Sequence, residues 1–282
     1  MPVAEALLSP FVLGLLGLCI GSFLNVVIHR LPLMLERGWK IDSAEMLGVA
    51  LDPPAPITLS TPRSRCPACA HPIGWRENIP LVSYLALRGR CAACKVRISP
   101  RYPAIELLTA LLFAACGWHF GATPAVLLWC GLSATLVALA FIDLDTQLLP
   151  DDLTLPLMWA GIVASALGWT PVPLAASVGG AVAGYLSLWL VYHAYRLIRG
   201  KEGMGAGDFK LLAALGAWLG WALIPSIILL SSAVGATVGV GLIVLRRHDK
   251  DVPIPFGPYL AGGGIAALFF GEQLTRLWLV PA

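Results

Sequence analysis

The sequence predicts an all-helical protein that crosses a membrane about eight times and carries a small zinc-ribbon-like insertion on one side. Three observations lead there. Of 282 residues, 58% are hydrophobic and 12% charged, whereas soluble domains carry about a quarter charged residues. Apolar runs recur along the chain that are long enough to cross a ~30 Å hydrocarbon layer, which takes roughly 20 residues. Four cysteines fall as two CxxC pairs in the one long polar stretch. The net charge of +3 is too small to indicate a nucleic-acid partner.

Spans are expected near residues 7–29, 104–122, 124–142, 153–169, 174–195, 209–224, 226–245 and 258–279. The first apolar run, Ala6 to Ile28, is too long for a signal h-region and is not followed by an A-x-A-like site, so it reads as a retained span. The sixth and seventh spans share one apolar stretch of 37 residues, Phe209 to Leu245. At ~1.5 Å per residue that is too long for one crossing, and Ile224-Pro225-Ser226 is the expected turn.

Lys and Arg set the orientation. Eleven lie between Arg30 and Arg101, four are Arg196, Arg199, Lys201 and Lys210, and three are Arg246, Arg247 and Lys250. With eight spans, these 18 of the 19 fall on one side, which the positive-inside rule makes cytoplasmic. Both termini then face outward. Residues 1–29 form a first transmembrane helix, 30–103 a cytosolic loop, and 104–282 a polytopic transmembrane domain. Within the loop, residues 34–62 are proline-rich with mixed charge and read as an irregular linker, while 63–101 read as compact.

That compact part holds Cys66-Pro67-Ala68-Cys69 and Cys91-Ala92-Ala93-Cys94, with 21 residues between the pairs. The spacing resembles a zinc ribbon, at the long edge of the usual range. Four thiolates make a closed tetrahedral site with no open position, so the expected metal is structural. Two disulfides are the alternative, and a reducing cytosol speaks against them. Cys19, Cys116 and Cys130 sit inside spans and read as small packing residues.

A second constellation is a set of acids at span ends. Asp143 follows the apolar run Leu136 to Ile142, and Asp208 follows Gly203-Met204-Gly205-Ala206-Gly207 and opens the helix at Phe209. Two spans separate them, so both emerge on one face, and ionisable residues there are functional candidates by default. Two carboxyls that met could divide acid and base work on a water molecule. The glycines permit positive φ and close backbone approach. Asp208 could also serve only as a helix cap. Asp145 rivals Asp143 but points roughly opposite on a helix, and Asp151 and Asp152 read as N-caps. The histidines show no metal-pair spacing, and no serine elbow, P-loop or dinucleotide fingerprint is present.

Taken in order, these motifs resemble the type IV prepilin peptidases, a GxGD aspartic protease family of leader peptidases and N-methyltransferases serving pilus and type II secretion systems. Gly21-Ser22-Phe23-Leu24-Asn25 through Arg30-Leu31-Pro32 is similar to the family's amino-terminal signature. The CxxC pairs, the segments Glu77 to Tyr84 and Arg101 to Glu106, Asp143 through Asp151, Gly205-Ala206-Gly207-Asp208, and Pro253 to Tyr259 are similar to later motifs. The resemblance runs nearly end to end. It implies that Asp143 and Asp208 are the catalytic pair, with Gly205 and Gly207 in the active-site loop. It implies cleavage of prepilins and pseudopilins after a glycine that ends a basic leader, in the bacterial inner membrane with the active site toward the cytoplasm. It also implies methylation of the new amino terminus by S-adenosylmethionine, for which no adenosine-binding motif is visible; the cysteine-bearing loop near Gly89 is the candidate region. A preflagellin- or presenilin-type protease would lack the cysteine pairs and the GSFLN segment. A transporter would carry acids near mid-span and internal repeats, neither of which is found. The sequence fixes no oligomeric state.

Overall fold

The computed structural model describes residues 2–50, 56–201, 203–245 and 254–279. The basic residues Arg246, Arg247 and Lys250, along with His248, Pro253 and the Pro53-Pro54-Ala55 segment, lie outside the described residues. The chain divides into two compact units, Met1–Ala138 and Leu139–Ala282. Among the described residues the structure is helical, with two isolated β-bridges and no longer strand.

The first unit contains α1 (Pro2–Leu7), α2 (Pro10–Leu47), α3 (Val82–Ala86), α4 (Arg101–Phe120) and the start of α5 (Val126–Thr146). Here α2 and α4 lie side by side at very short range. A Cβ on Gly17 would stand 2.7 Å from the Ala110 Cα, and one on Gly21 would stand 2.7 Å from the Glu106 Cα. With no hydrocarbon excess to gain between helices in lipid, such small residues let backbones approach and collect dispersion contacts. The expectation of an irregular linker from residue 34 is wrong up to Leu47. The helix continues through Pro32 and the charged residues after it, and stops at Gly48, whose φ of 63° forms a left-handed cap. Charge there marks the end of the apolar span, not the end of the helix.

The second unit contains the end of α5, then α6 (Asp151–Ala166), α7 (Leu174–Arg199), α8 (Ala206–Leu219), α9 (Ile224–Val244) and α10 (Gly257–Leu279). Its centre is α8, which buries Asp208, Phe209 and every residue from Leu211 to Trp218. Glycines make this burial sterically possible. Gly180 of α7 and Gly216 of α8 face each other backbone to backbone, and a Cβ on Gly161 of α6 would meet the Trp218 ring at 2.7 Å. The Trp218 Nε1 donates to the Leu157 carbonyl at 2.8 Å.

Helices occupy each of the eight predicted ranges, and among the described residues five segments are long and apolar enough to cross a membrane: Pro10–Leu47, Arg101–Phe120, Val126–Thr146, Leu174–Arg199 and Trp221–Leu242. The turn expected at Ile224-Pro225-Ser226 is displaced. α8 ends at Gly220, whose φ of 81° breaks the helix, and a short 3-10 turn at Trp221–Leu223 leads into α9. Pro225 therefore sits in the first turn of α9, where its missing N–H costs little.

Candidate active site and metal centre

The cysteine-bearing part of the first unit is built from one local design used twice, 25 residues apart. In each copy the first cysteine's N–H donates two residues past the second cysteine, Cys66 to His71 and Cys91 to Val96. The first cysteine's carbonyl accepts from the next residue back, Ala70 and Lys95. Ala70 and Lys95 both adopt positive φ, 58° and 59°. The bridges Arg65 to Pro72 and Arg90 to Arg97 close each turn.

All four sulfurs lie within 4.8 Å of one another. Cys66 and Cys94 are 3.8 Å apart and Cys69 and Cys91 are 4.0 Å apart. A tetrahedral ion with ~2.3 Å bonds to sulfur requires edges of about 3.8 Å, so the four thiols fit a metal ion, and none of the seven cysteines is in a disulfide. The N–H groups of Cys69 and Ala68 point at the Cys66 sulfur and pull its pKa down to about 7. Those of Cys94 and Ala93 likewise lower Cys91. Thiolate is the form that binds metal.

Other motif residues in this unit brace the loop. Asn25 of α2 donates its amide to the Tyr102 carbonyl at 3.1 Å. Arg30 donates to the carbonyls of Thr58 and Pro62 at 2.9 and 2.7 Å. Glu77 accepts from the Gly74 N–H at 3.0 Å and lies 3.2 Å from His71 Nε2. Glu106 of α4 takes the Leu81 N–H at 2.8 Å. Gly89 has φ of 66°, and a Cβ there would stand 2.9 Å from the Tyr84 hydroxyl. It borders a cavity of ≈ 530 Å³ with Tyr84, Arg88, Arg97 and Ser99.

Two buried acids mark the second unit. Asp143, near the end of α5, is 5% exposed, and Asp208, in the first turn of α8, is 6% exposed. The Asp143 Oδ2 accepts the Gly257 N–H at the start of α10, at 2.9 Å. A Cβ on Gly257 would lie 2.6 Å from that oxygen, so any other residue there would push the carboxylate aside. Leu149 packs between the two loops, 2.7 Å from a Cβ on Gly207 and 3.1 Å from one on Gly257. The Asp208 Oδ1 is buried with no hydrogen-bond partner. A buried, unsatisfied carboxylate oxygen is costly and asks for an explanation.

Several sequence expectations change here. Asp208 is not the cap that opens a helix at Phe209: α8 starts at Ala206 with Gly205 as its N-cap residue, and the Asp208 N–H donates to the Gly205 carbonyl at 3.2 Å. Asp151 and Asp152 are not N-caps either, because Pro150 holds that position. Asp151 instead accepts from Lys210 at 2.7 Å. Asp145 is exposed. Of the glycines before Asp208, none has positive φ. Gly203 and Gly207 are required by close contacts to Tyr195 and Leu149, whereas a Cβ on Gly205 would meet nothing. Sequence reasoning gave no role to Gly257 or Leu149; the motif Pro253 to Tyr259 was the available signal.

Comparison with known proteins places these sites in context. Residues 15–120 match the Bacterial Peptidase A24 N-terminal domain, and residues 130–240 match the Type IV leader peptidase family. The chain is 56% identical over 274 residues to a prepilin leader peptidase/N-methyltransferase of Aeromonas hydrophila, covering 94% of this chain and 92% of that protein. It is 53% identical over 288 residues to the protein of the same description from Pseudomonas aeruginosa, covering 99% and 98%. Another from Burkholderia pseudomallei is 49% identical over 265 residues, covering 93% and 85%. No solved structure matches the chain.

Proposed function

The chain belongs to the type IV leader peptidase family, and on that premise we propose that it removes the basic leader from type IV prepilins and type II secretion pseudopilins, after a glycine, and then methylates the new amino terminus. The observation that carries the peptidase reading is the pair of buried acids, Asp143 fixed by the Gly257 N–H and Asp208 left with an oxygen that has no partner. One carboxylate takes a proton from water as its oxygen attacks the scissile carbonyl. The other, protonated at the outset, gives its proton to the departing nitrogen as the C–N bond breaks. Asp208 Oδ1, buried and unpartnered, would accept from that water, or donate to the carbonyl oxygen when it carries the proton.

The depth of the pair suits the substrate. A prepilin has a basic leader followed by an apolar segment that sits in the bilayer, so its scissile bond lies at the membrane surface. α8 begins with Asp208 in its first turn, and Arg196, Arg199 and Lys201 end α7 just before it. Under the positive-inside rule this end of both helices is cytoplasmic, in an inner membrane.

The four thiolates Cys66, Cys69, Cys91 and Cys94 would hold a zinc ion. A closed four-thiolate site supplies cross-linking, with no position left for a reacting water. For methyl transfer, the region beside Gly89 fits best. The cavity there offers the Tyr84 ring for a purine to stack on, and Arg88 and Arg97 for a carboxylate. S-adenosylmethionine supplies the methyl group when bound. Its charged parts cannot enter lipid cheaply, which favours this polar region.

Cleavage of a purified prepilin by the detergent-solubilised protein tests the first reaction: the unaltered chain cuts, and Asp143→Asn and Asp208→Asn do not. The second reaction is tested by giving Asp143→Asn protein a mature, unmethylated pilin. We expect transfer of labelled methyl groups to persist, because that chemistry does not require the aspartates. Loss of transfer in folded Asp143→Asn protein would mean that one site serves both steps.

A further inference from the structure

Residues 56–101 carry a single acid, Glu77, against exposed Arg63, Arg65, Arg88, Arg90, Lys95 and Arg97. The same segment turns large apolar side chains outward. Val82 and Leu85 of α3 are 59% and 73% exposed, and at a spacing of three they share one face of the helix. Trp75 is exposed as well, with the Arg76 guanidinium 5.1 Å from its ring centre. Arginines interleaved with exposed Trp, Val and Leu are the composition of a segment that lies in a membrane surface.

The depth of α3 follows from one bond. Glu106 Oε2 accepts the N–H of Leu81 at 2.8 Å, and Leu81 is the residue that opens α3. Glu106 lies ~7.5 Å along α4 from its first residue, Arg101. α4 has 20 residues, just enough to cross a ~30 Å hydrocarbon layer, so its second turn already stands at the edge of the lipid. Leu107 and Leu108, next to Glu106, are exposed and have acyl chains as their solvent. Leu81 holds a φ of 57°, a conformation that persists in a residue other than glycine only where its surroundings dictate it. On the other flank Asn25 of α2 ties the Tyr102 carbonyl at 3.1 Å. α3 is therefore held at the level where the chain enters the bilayer.

We propose that α3 lies in the lipid headgroup layer of the membrane the protein spans, with Val82 and Leu85 inserted among the acyl chains and the surrounding arginines on headgroup phosphates. Continuity and charge select this occupant. The exposed leucines of α4 at the same level already face lipid, and a phosphate complements the arginines. The basic leader of a prepilin would be repelled by them. The proposal does not depend on the peptidase reading. It brings the cavity bordered by Tyr84 and Arg88 to the membrane surface instead of leaving it out in the cytosol.

The test uses the full-length protein in phospholipid vesicles, with a photoreactive benzophenone amino acid placed at Val82 or Leu85. After irradiation, mass analysis of the peptides should show lipid adducts at both positions. The same group at Leu111, exposed on α4, shows that the reaction works. At Met46, 88% exposed at the far end of α2 and ~30 Å along that helix from Asn25, it should give no lipid adduct. A second readout is the rate at which trypsin cuts after Arg88 and Arg90 in vesicles with this side outward. Burying one leucine favours the docked form by about tenfold or more, so Leu85→Asp should speed cutting by about that factor, while Leu85→Met should cut like the parent. No lipid adduct at Val82 or Leu85 beside a clear one at Leu111 overturns the proposal. So do cross-links from Leu85 to another segment of this chain or to a second copy, and equal cutting of Leu85→Asp and parent.

Discussion

In the first unit Glu106 is 8% exposed and its Oε2 accepts the Leu81 N–H at 2.8 Å. In the second, Asp208 is 6% exposed and its Oδ1 has no partner. The two carboxyls are equally hidden, and both belong to motifs, yet only one is satisfied. The same contrast extends outward. Asn25, Arg30 and Glu77 all end on backbone groups of the first unit, so its polar motif residues are used up in holding a loop. Burying a carboxylate is tolerable when its hydrogen bonds are made inside the protein. Where one oxygen is left unsatisfied, as at Asp208, the acid-bearing site keeps capacity for a ligand or a water. Motif membership alone does not separate Glu106 from Asp208; hydrogen-bond satisfaction does, whereas Asp143, which accepts the Gly257 N–H, is satisfied in the same way as Glu106.

The largest test of this contrast replaces each buried acid by its amide. Asp143→Asn and Asp208→Asn should each lower leader cleavage by at least about 10³-fold, the scale lost when one member of a catalytic set is removed. Asp145→Asn, at the neighbouring exposed position, should retain most activity. Cleavage by Asp143→Asn together with inactivity of Asp145→Asn would falsify the assignment.

A smaller effect on cleavage is expected at the thiol cluster. The purified protein should contain about one zinc per chain, and Cys66→Ser with Cys69→Ser should abolish it. The readout is metal content together with protease sensitivity of residues 63–101, which should rise while cleavage by the remaining intact molecules persists. Metal-free protein with a loop as resistant as the parent's would remove the metal from the structural account.

Glu106→Gln probes the satisfied acid directly. It exchanges a charge-assisted bond for a neutral one at a strained partner, since Leu81 has φ of 57°. It should lower stability by about 1–3 kcal/mol, seen as a lower Tm, with cleavage per folded molecule close to the parent. The smallest effect belongs to Lys210 and Asp151. Their ion pair is 2.7 Å long but half of the Asp151 side chain is exposed, so Lys210→Met should change stability by at most about 1 kcal/mol. A larger loss would show that this pair supports the acid site and is not merely an exposed contact.

Much of this was legible in the sequence. Apolar run lengths located the helices of the spans, because lipid forces every backbone polar group into an internal helical bond. The paired CxxC spacing located the four thiols that lie close enough to share a metal ion, because each tight turn presents two sulfurs whatever surrounds it. Boundaries were less legible. The run of charges after Pro32 hid the fact that α2 extends to Leu47, since helix and span end for different physical reasons. In the apolar stretch from Phe209, Gly220 at φ of 81° broke the chain and Pro225 did not, because a proline in a first turn is compatible with a helix.

What the sequence by itself determined is which residues are apolar enough to enter lipid, which cysteines can share an ion, and that acids stand at the ends of spans. It could not say which acid is satisfied. That depends on partners far away along the chain: the Gly257 N–H reaches Asp143 across 114 residues, and Leu149 fits against both Gly207 and Gly257. Nor could it show that the glycines at 180 and 216 meet so that α8 is wrapped on all sides. Spacing along a chain encodes local turns and helix faces. Distances between helices, and with them the burial of a charge, are decided only when side-chain volumes on separate helices are packed against each other.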